Sequence, residues 1–333
     1  ISACLVGSEM CIRDRRDDLV ALARALDAGS GAPVAACPPL PNPPLELRPR
    51  RVSITEIDTL IADPFAFHAR RILKLFPLDP LDQDPTAAMR GTLVHGVLER
   101  WIKDGHGTLE QLDRIATEML DAEARHFPLL AAAWVPRMKL ALHWAGSLIL
   151  HREKEEGWTQ MIAEVKGELP LPNGITLSGR IDRVDRNRNG ALLVVDYKTG
   201  NPPKAARIHA MEANQLALGL AIATAGGLRR DGAALPGGLP AGIEYWRLKG
   251  ARAEAGKLYR PLDGKAALPV DDHVSAALDK AETLTTDYLL ALKPFAPKLR
   301  PDWAWADYDH LARVAEWINR PDATRSAATE DAA

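Results

Sequence analysis

The stretch Gly179-Arg-Ile-Asp-Arg-Val-Asp185-Arg-Asn-Arg-Asn-Gly190-Ala-Leu-Leu-Val-Val-Asp196-Tyr-Lys-Thr-Gly200 decides how the chain is read. Residues 175–184 are rich in β-branched and apolar types, Ala191 to Val195 form an apolar run, and Asn189-Gly190 between them is a strong turn dipeptide, so the segment reads as a β-hairpin. A three-residue loop of Arg188, Asn189 and Gly190, with the glycine left-handed, pairs Asn187 with Ala191, and paired residue numbers then sum to 378. That register sets Asp182 opposite Asp196 and Arg180 opposite Lys198. A two-residue Asn-Gly loop would slip the register by one and turn Asp182 to the other face.

Because side chains alternate along a strand, the three-residue loop gathers Arg180, Asp182, Val184, Val194, Asp196 and Lys198 on one face. Two carboxylates directly opposite each other are unfavourable, by roughly 3 kcal/mol at about 5 Å and an effective dielectric near 20. Arg180 and Lys198 could offset this as a plain salt-bridge lattice. A divalent cation between the carboxylates would do the same, since hard cations prefer oxygen ligands.

The 333 residues, 47% hydrophobic and 26% charged, suit a folded globular chain with a substantial core. A net charge of -2 gives no global basic field, so any phosphate binding must come from local patches. No apolar run approaches the roughly 18 residues of a membrane span and no secretory signal opens the chain, which reads as soluble, without membrane contact, and cytoplasmic. The three cysteines, Cys4, Cys11 and Cys37, have no metal-type spacing and suit a reducing compartment. The opening Ile1 to Arg15 resembles translated adapter read-through, which makes 1–16 a non-native tail; an ordinary N-terminal tail is the alternative.

Along the chain, 17–50 reads as a short helix followed by a Pro-rich linker. Ser53-Ile-Thr-Glu56 is a capping box that opens a helix with Ile54, Ile57, Leu60 and Ile61 as its buried stripe. A second helix follows over Phe65 to Leu75, whose basic residues read as a solvated face. Thr86 to Lys103 is a largely buried helix with His95 and Glu99 on one face, a pair that is either a core histidine satisfied by its glutamate or two ligands for one metal. Further helices are read at Leu109–Glu123, Leu129–Glu155, Met211–Ala225, Val270–Leu292 and Tyr308–Ile318. Strands are read at Met161–Leu169, at the hairpin, at Ile243–Leu248 and at Lys257–Pro261, with Gly226 to Gly242 as a loop. Residues 321–333 read as a disordered tail. The order of elements indicates a mixed α/β domain.

Gly179-Arg-Ile-Asp-Arg-Val-Asp185 with Val195-Asp-Tyr-Lys-Thr-Gly200 resembles the PD-(D/E)XK nucleases of the RecB type, and Arg90-Gly-Thr-Leu-Val-His-Gly-Val-Leu-Glu99 resembles their first motif. The flanks Ser53 to Phe67, Gln215-Leu-Ala-Leu, Pro294 to Pro301 and Asp307 to Trp317 look most like the C-terminal nuclease domain of the AddB family of double-strand-break-repair subunits, in its alphaproteobacterial form. The likeness covers about residues 50 to 320 and implies a restriction-endonuclease-like α/β core, a central mixed sheet flanked by helices, over 51–320.

The resemblance implies His95, Asp182 and Asp196 as metal ligands with the Tyr197 carbonyl as a fourth, Lys198 as the catalytic lysine acting with Asp182 and Asp196, and Gln215 and Arg180 at the substrate. The family's tyrosine four residues after the glutamine is replaced by Gly219. Many relatives carry an iron-sulfur staple, but no cysteine follows Cys37, so no cluster is expected on that pattern. The implied activity is Mg²⁺-dependent phosphodiester hydrolysis, with Mn²⁺ a plausible substitute in vitro, on a single DNA strand delivered by a helicase, alongside an AddA-type helicase-nuclease subunit. The competing class is a catalytically silent DNA-binding or architectural subunit of such a complex. A carboxylate-based sugar hydrolase leaves His95 and Lys198 without roles.

Overall fold

A computed structural model describes residues 16–28, 36–78, 87–264 and 267–319. The expected tails, 1–16 and 321–333, fall outside these residues except for Arg16, which begins a helix over 16–27. Two compact units result: Pro39–Tyr308, and Ile1–Pro38 with Asp309–Ala333. In the second, the closing helix expected over Tyr308–Ile318 is confined to Val314–Trp317, because Arg313 before it is left-handed, with φ 53°.

The larger unit opens on β1 (Arg51–Ser53) and α1 (Ile54–Ala62). The capping box forms as its sequence dictates, the Glu56 N–H donating to Ser53 Oγ at 3.2 Å and the Ser53 N–H to Glu56 Oε2 at 2.8 Å. Then come α2 (Ala87–Lys103), α3 (Leu109–Ala124), α4 (Pro128–His151), β2 (Trp158–Pro170), β3 (Thr176–Asn187) and β4 (Leu192–Lys198). They are followed by α5 (Gln215–Thr224), β5 (Leu228–Arg230), β6 (Ala233–Ala234), β7 (Pro240–Ala251), β8 (Glu254–Tyr259) and α6 (Val270–Thr285).

The strands make one sheet in the order β6-β5-β2-β3-β4-β7-β8, with β1 also on β3. It is mixed: β1 runs parallel to β3 and β4 to β7, while the other pairs are antiparallel. One face packs on α1, α5 and α6 through Ile181, Val184, Val194 and Ile243. The other packs on α2, α3 and α4 through Ala163, Val195, Tyr197 and Trp246. This is the mixed α/β architecture of a restriction-endonuclease-like fold, as expected from the sequence. The Gly226–Gly242 stretch read as a loop also contributes β5 and β6, whose Gly- and Ala-rich sequence carries little strand signal; their pairing depends on Lys166 and Gly167, far away in the chain.

The hairpin turn has the expected form. Gly190 is left-handed at φ 80°, the Asn187 N–H donates to the Ala191 carbonyl at 3.0 Å, and the Asn187 side chain accepts from the N–H groups of Asn189 and Ala191. The four ladder pairs from Arg186↔Leu192 to Arg183↔Val195 each sum to 378. There the ladder stops. β1 covers β3 only over Thr176–Ser178 and β4 only over Arg183–Arg186, so residues 179–182 of β3 have no strand partner on that edge.

The Pro-rich stretch, read as linker, is fastened from Pro39 onward. Arg48 is buried and donates from Nη1 to the carbonyls of Tyr288 and Ala291, both at 2.7 Å, and from Nε to that of Pro43 at 2.9 Å. The Phe295 N–H donates to the Pro41 carbonyl at 2.9 Å, and the guanidinium lies 5.2 Å from the Phe295 ring centre.

Candidate metal and catalytic site

The site lies where β3 loses its edge partner, and both central strands change phase there. On β2, Ala163 faces the α2 side and Val165 the α5 side; on β3, Arg183 lies across from Ala163 and Ile181 from Val165. Ideal alternation would put residues two apart on the same face. The break falls at Glu164 and Asp182, and Glu164 is left-handed with φ 49°. Register is the same on either side, so no residue is inserted.

At this break, Asp182 Oδ2 accepts the Tyr197 N–H at 2.9 Å, a side chain taking the place of a ladder carbonyl. From α2, His95 Nε2 donates to the Tyr197 carbonyl at 2.9 Å. A carbonyl only accepts, so Nε2 carries the hydrogen, and Nδ1 faces the carboxylates, 3.5 Å from Asp182 and 3.6 Å from Glu164. These two distances are ion-pair contacts rather than full hydrogen bonds. His95, Glu164 and Asp182 each offer a donor atom, all within 4.8 Å of one another.

Asp196 lies beside them with other partners. Its carboxylate is 2.9 Å from the Lys198 ammonium and accepts from Gln215 Nε2 at 3.3 Å. Asp182, Asp196 and Gln215 line a small cleft with Ile54, Val194 and Gly219. A Cβ on Gly219 would stand 3.4 Å from Ile181, so α5 packs closely on the sheet where the family pattern has its tyrosine.

Electrostatics agree with a site short of positive charge. Burial, then repulsion from Asp196, pushes the Asp182 carboxyl up to about 6. Burial also raises Asp196, against the pull of Lys198. For His95, burial opposes the imidazolium, but Glu164, Asp182 and the Tyr197 carbonyl raise it above the usual histidine value. Burial would raise Glu164, yet His95 and Arg180 together hold it below the usual glutamate value.

The structure thus brings together His95, Asp182, Tyr197, Asp196, Lys198 and Gln215. Three sequence expectations are corrected. Arg180 does not stand across from Lys198: the phase change sends its guanidinium to Glu164 and, at 3.9 Å, to Glu99 of α2. Glu99 does not join His95 at a metal, since it pairs with Lys103 at 2.6 Å. The Tyr197 carbonyl is engaged by His95 itself. Glu164 went unread, and its signal was the imperfect alternation of Ala163-Glu164-Val165 within an otherwise regular strand.

The donors fit a divalent cation: a histidine nitrogen and two half-buried or buried carboxylates, with a third carboxylate alongside, carry more negative charge than their neighbours offset.

Comparison with known proteins places these features in a family. Residues 51–306 match the PD-(D/E)XK nuclease superfamily. An "Uncharacterized protein" of Rickettsia bellii (strain RML369-C) is 29% identical over 164 residues, 46% of this chain and 19% of the relative. One of Rickettsia typhi (strain ATCC VR-144 / Wilmington) is 27% identical over 164 residues, with the same coverage. The matched segment therefore spans about a fifth of the relatives' length. A solved structure, "Crystal structure of SSO0001", covers 84% of this chain and 86% of its own at 13% identity, with a TM-score of 0.28, too low to carry an argument. On the superfamily match, which spans most of its length, the chain belongs to the PD-(D/E)XK nuclease superfamily.

Proposed function

We propose that the chain is the Mg²⁺-dependent deoxyribonuclease domain of an AddB-like subunit, degrading a single DNA strand that a helicase delivers, in partnership with an AddA-type subunit during double-strand-break repair in the cytoplasm. The observation that carries the reading is the meeting of His95, Asp182, Asp196, Lys198 and Gln215 at one break in the sheet, inside the matched span. Among the described residues no helix is long and apolar enough to cross a membrane.

A phosphodiester is anionic and resists attack by hydroxide, so charge must be neutralised and the nucleophile positioned. A bound Mg²⁺, or Mn²⁺ in vitro, supplies Lewis acidity and a water of lowered pKa. His95 and Asp182 hold the cation, and Asp196 adds its charge beside them. Lys198 does the positioning. Its side chain is 32% exposed while Asp196 beneath it is 3% exposed, so Asp196 anchors the ammonium and keeps it protonated at the mouth of the cleft. There it can orient the attacking water and stabilise charge developing on the phosphoryl oxygens. Gln215, bonded to Asp196, fixes the carboxylate rather than reaching the substrate.

The test is cleavage of single-stranded DNA with Mg²⁺ by wild type, Asp196→Ala and Lys198→Ala. Each substitution should lower the rate on the order of a hundredfold or more. Equal rates in all three would sink the assignment.

A further inference from the structure

We propose that Glu164 is a further protein ligand of the divalent cation, and that the left-handed turn in β2 exists to present it. The inference rests on the metal-dependent reading above.

In β2 a left-handed residue is anomalous, and glycine would be its unstrained occupant. The register of β2 on β3 is unchanged across it, so the turn makes no bulge and lengthens nothing. What it does is rotate one side chain. After Ala163 on the α2 side, regular alternation would aim residue 164 into the apolar layer under α5. The left-handed φ instead brings the carboxylate to His95, where it is 8% exposed. Strain held at a non-glycine residue, directly across from Asp182, is the kind of outlier that marks a functional site.

Two structural explanations compete. The phase change also returns Val165 and Ile181 to the α5 layer, so it could serve the core alone; but glycine would do that with less strain, and a glutamate is there. Glu164 also pairs with Arg180, an exposed residue, and a surface ion pair is weak reason to retain strain. Neither accounts for Oε1 lying 3.6 Å from His95 Nδ1, in one cluster with Asp182.

The experiment is calorimetric titration of the full chain with Mn²⁺ alone, without DNA, for wild type, Glu164→Gln, Glu164→Gly and Arg180→Gln, with a thermal melt of each. Both Glu164 variants should bind Mn²⁺ on the order of ten- to a hundredfold more weakly. Arg180→Gln should bind no more weakly than wild type. Glu164→Gly should melt above Glu164→Gln by a few degrees, because it alone relieves the backbone. Wild-type affinity in Glu164→Gln, or an equal loss in Arg180→Gln, overturns the ligand role. A Glu164→Gly variant that melts below Glu164→Gln overturns the strain. Failure of the wild type itself to take up Mn²⁺ overturns the metal-dependent reading along with this one.

Discussion

His95 Nε2 and the Tyr197 carbonyl oxygen are 2.9 Å apart, a single hydrogen bond that ties α2 to the end of β4. It fixes the tautomer of His95 and aims Nδ1 at Asp182 and Glu164. To hold a cation, that nitrogen must be unprotonated and Asp182 must be ionised.

Metal affinity should therefore depend steeply on pH. Asp182 titrates at about 6 and His95 above its usual value, so protons compete with the cation below neutrality. Mn²⁺ titrations at about pH 5.5, 6.5 and 7.5 should show affinity rising at each step. A flat profile would mean that neither group holds the ion.

Behind the site, Arg183 and Asp185 form a fully buried ion pair. Two contacts of 2.9 Å join them, Arg183 Nη1 donates to the Tyr197 hydroxyl at 2.9 Å, and the guanidinium sits 4.0 Å from the Trp246 ring centre. Arg183→Met leaves the Asp185 carboxylate buried alone and should cost about 3–5 kcal/mol in urea unfolding. Arg183→Met with Asp185→Leu should recover much of that loss. Equal destabilisation by the single and the double change would show that the pair is not what matters.

Asp58 caps α5 from α1. Its Oδ1 accepts the Asn214 N–H at 2.8 Å, and burial pushes its carboxyl up to about 6. A folded-state value above the unfolded one means that the protonated form favours folding. The contribution is full below the unfolded value, near 4, and is lost as pH rises through about 6. Asp58→Asn cannot titrate, so the melting temperature of wild type relative to it should be highest near pH 4 and fall by pH 7. The opposite trend in paired thermal melts would refute this.

Much of the architecture could be read from local signals. Asn189-Gly190 specified its turn, and the turn specified a register that holds for all four ladder pairs. His95 was reached through its motif. The failures share one cause: strict alternation was assumed through a point where two strands change phase together. That assumption misplaced Arg180 and hid Glu164, since one left-handed residue in a strand leaves no mark in a hydrophobic pattern. Asp58 was equally unreadable as a cap. Its partner Asn214 lies 156 positions away, and only the folded chain brings α1 to the start of α5.

The Arg48 clamp has a practical consequence for where the domain can be cut. A recombinant fragment trimmed to the superfamily match would begin at residue 51 and lose the guanidinium that ties down the carbonyls of Tyr288 and Ala291, along with the Pro41 acceptor of Phe295. The chain end of α6 would be left unlatched, so the minimal autonomous piece starts at least a dozen residues earlier, at Pro39, than family boundaries suggest.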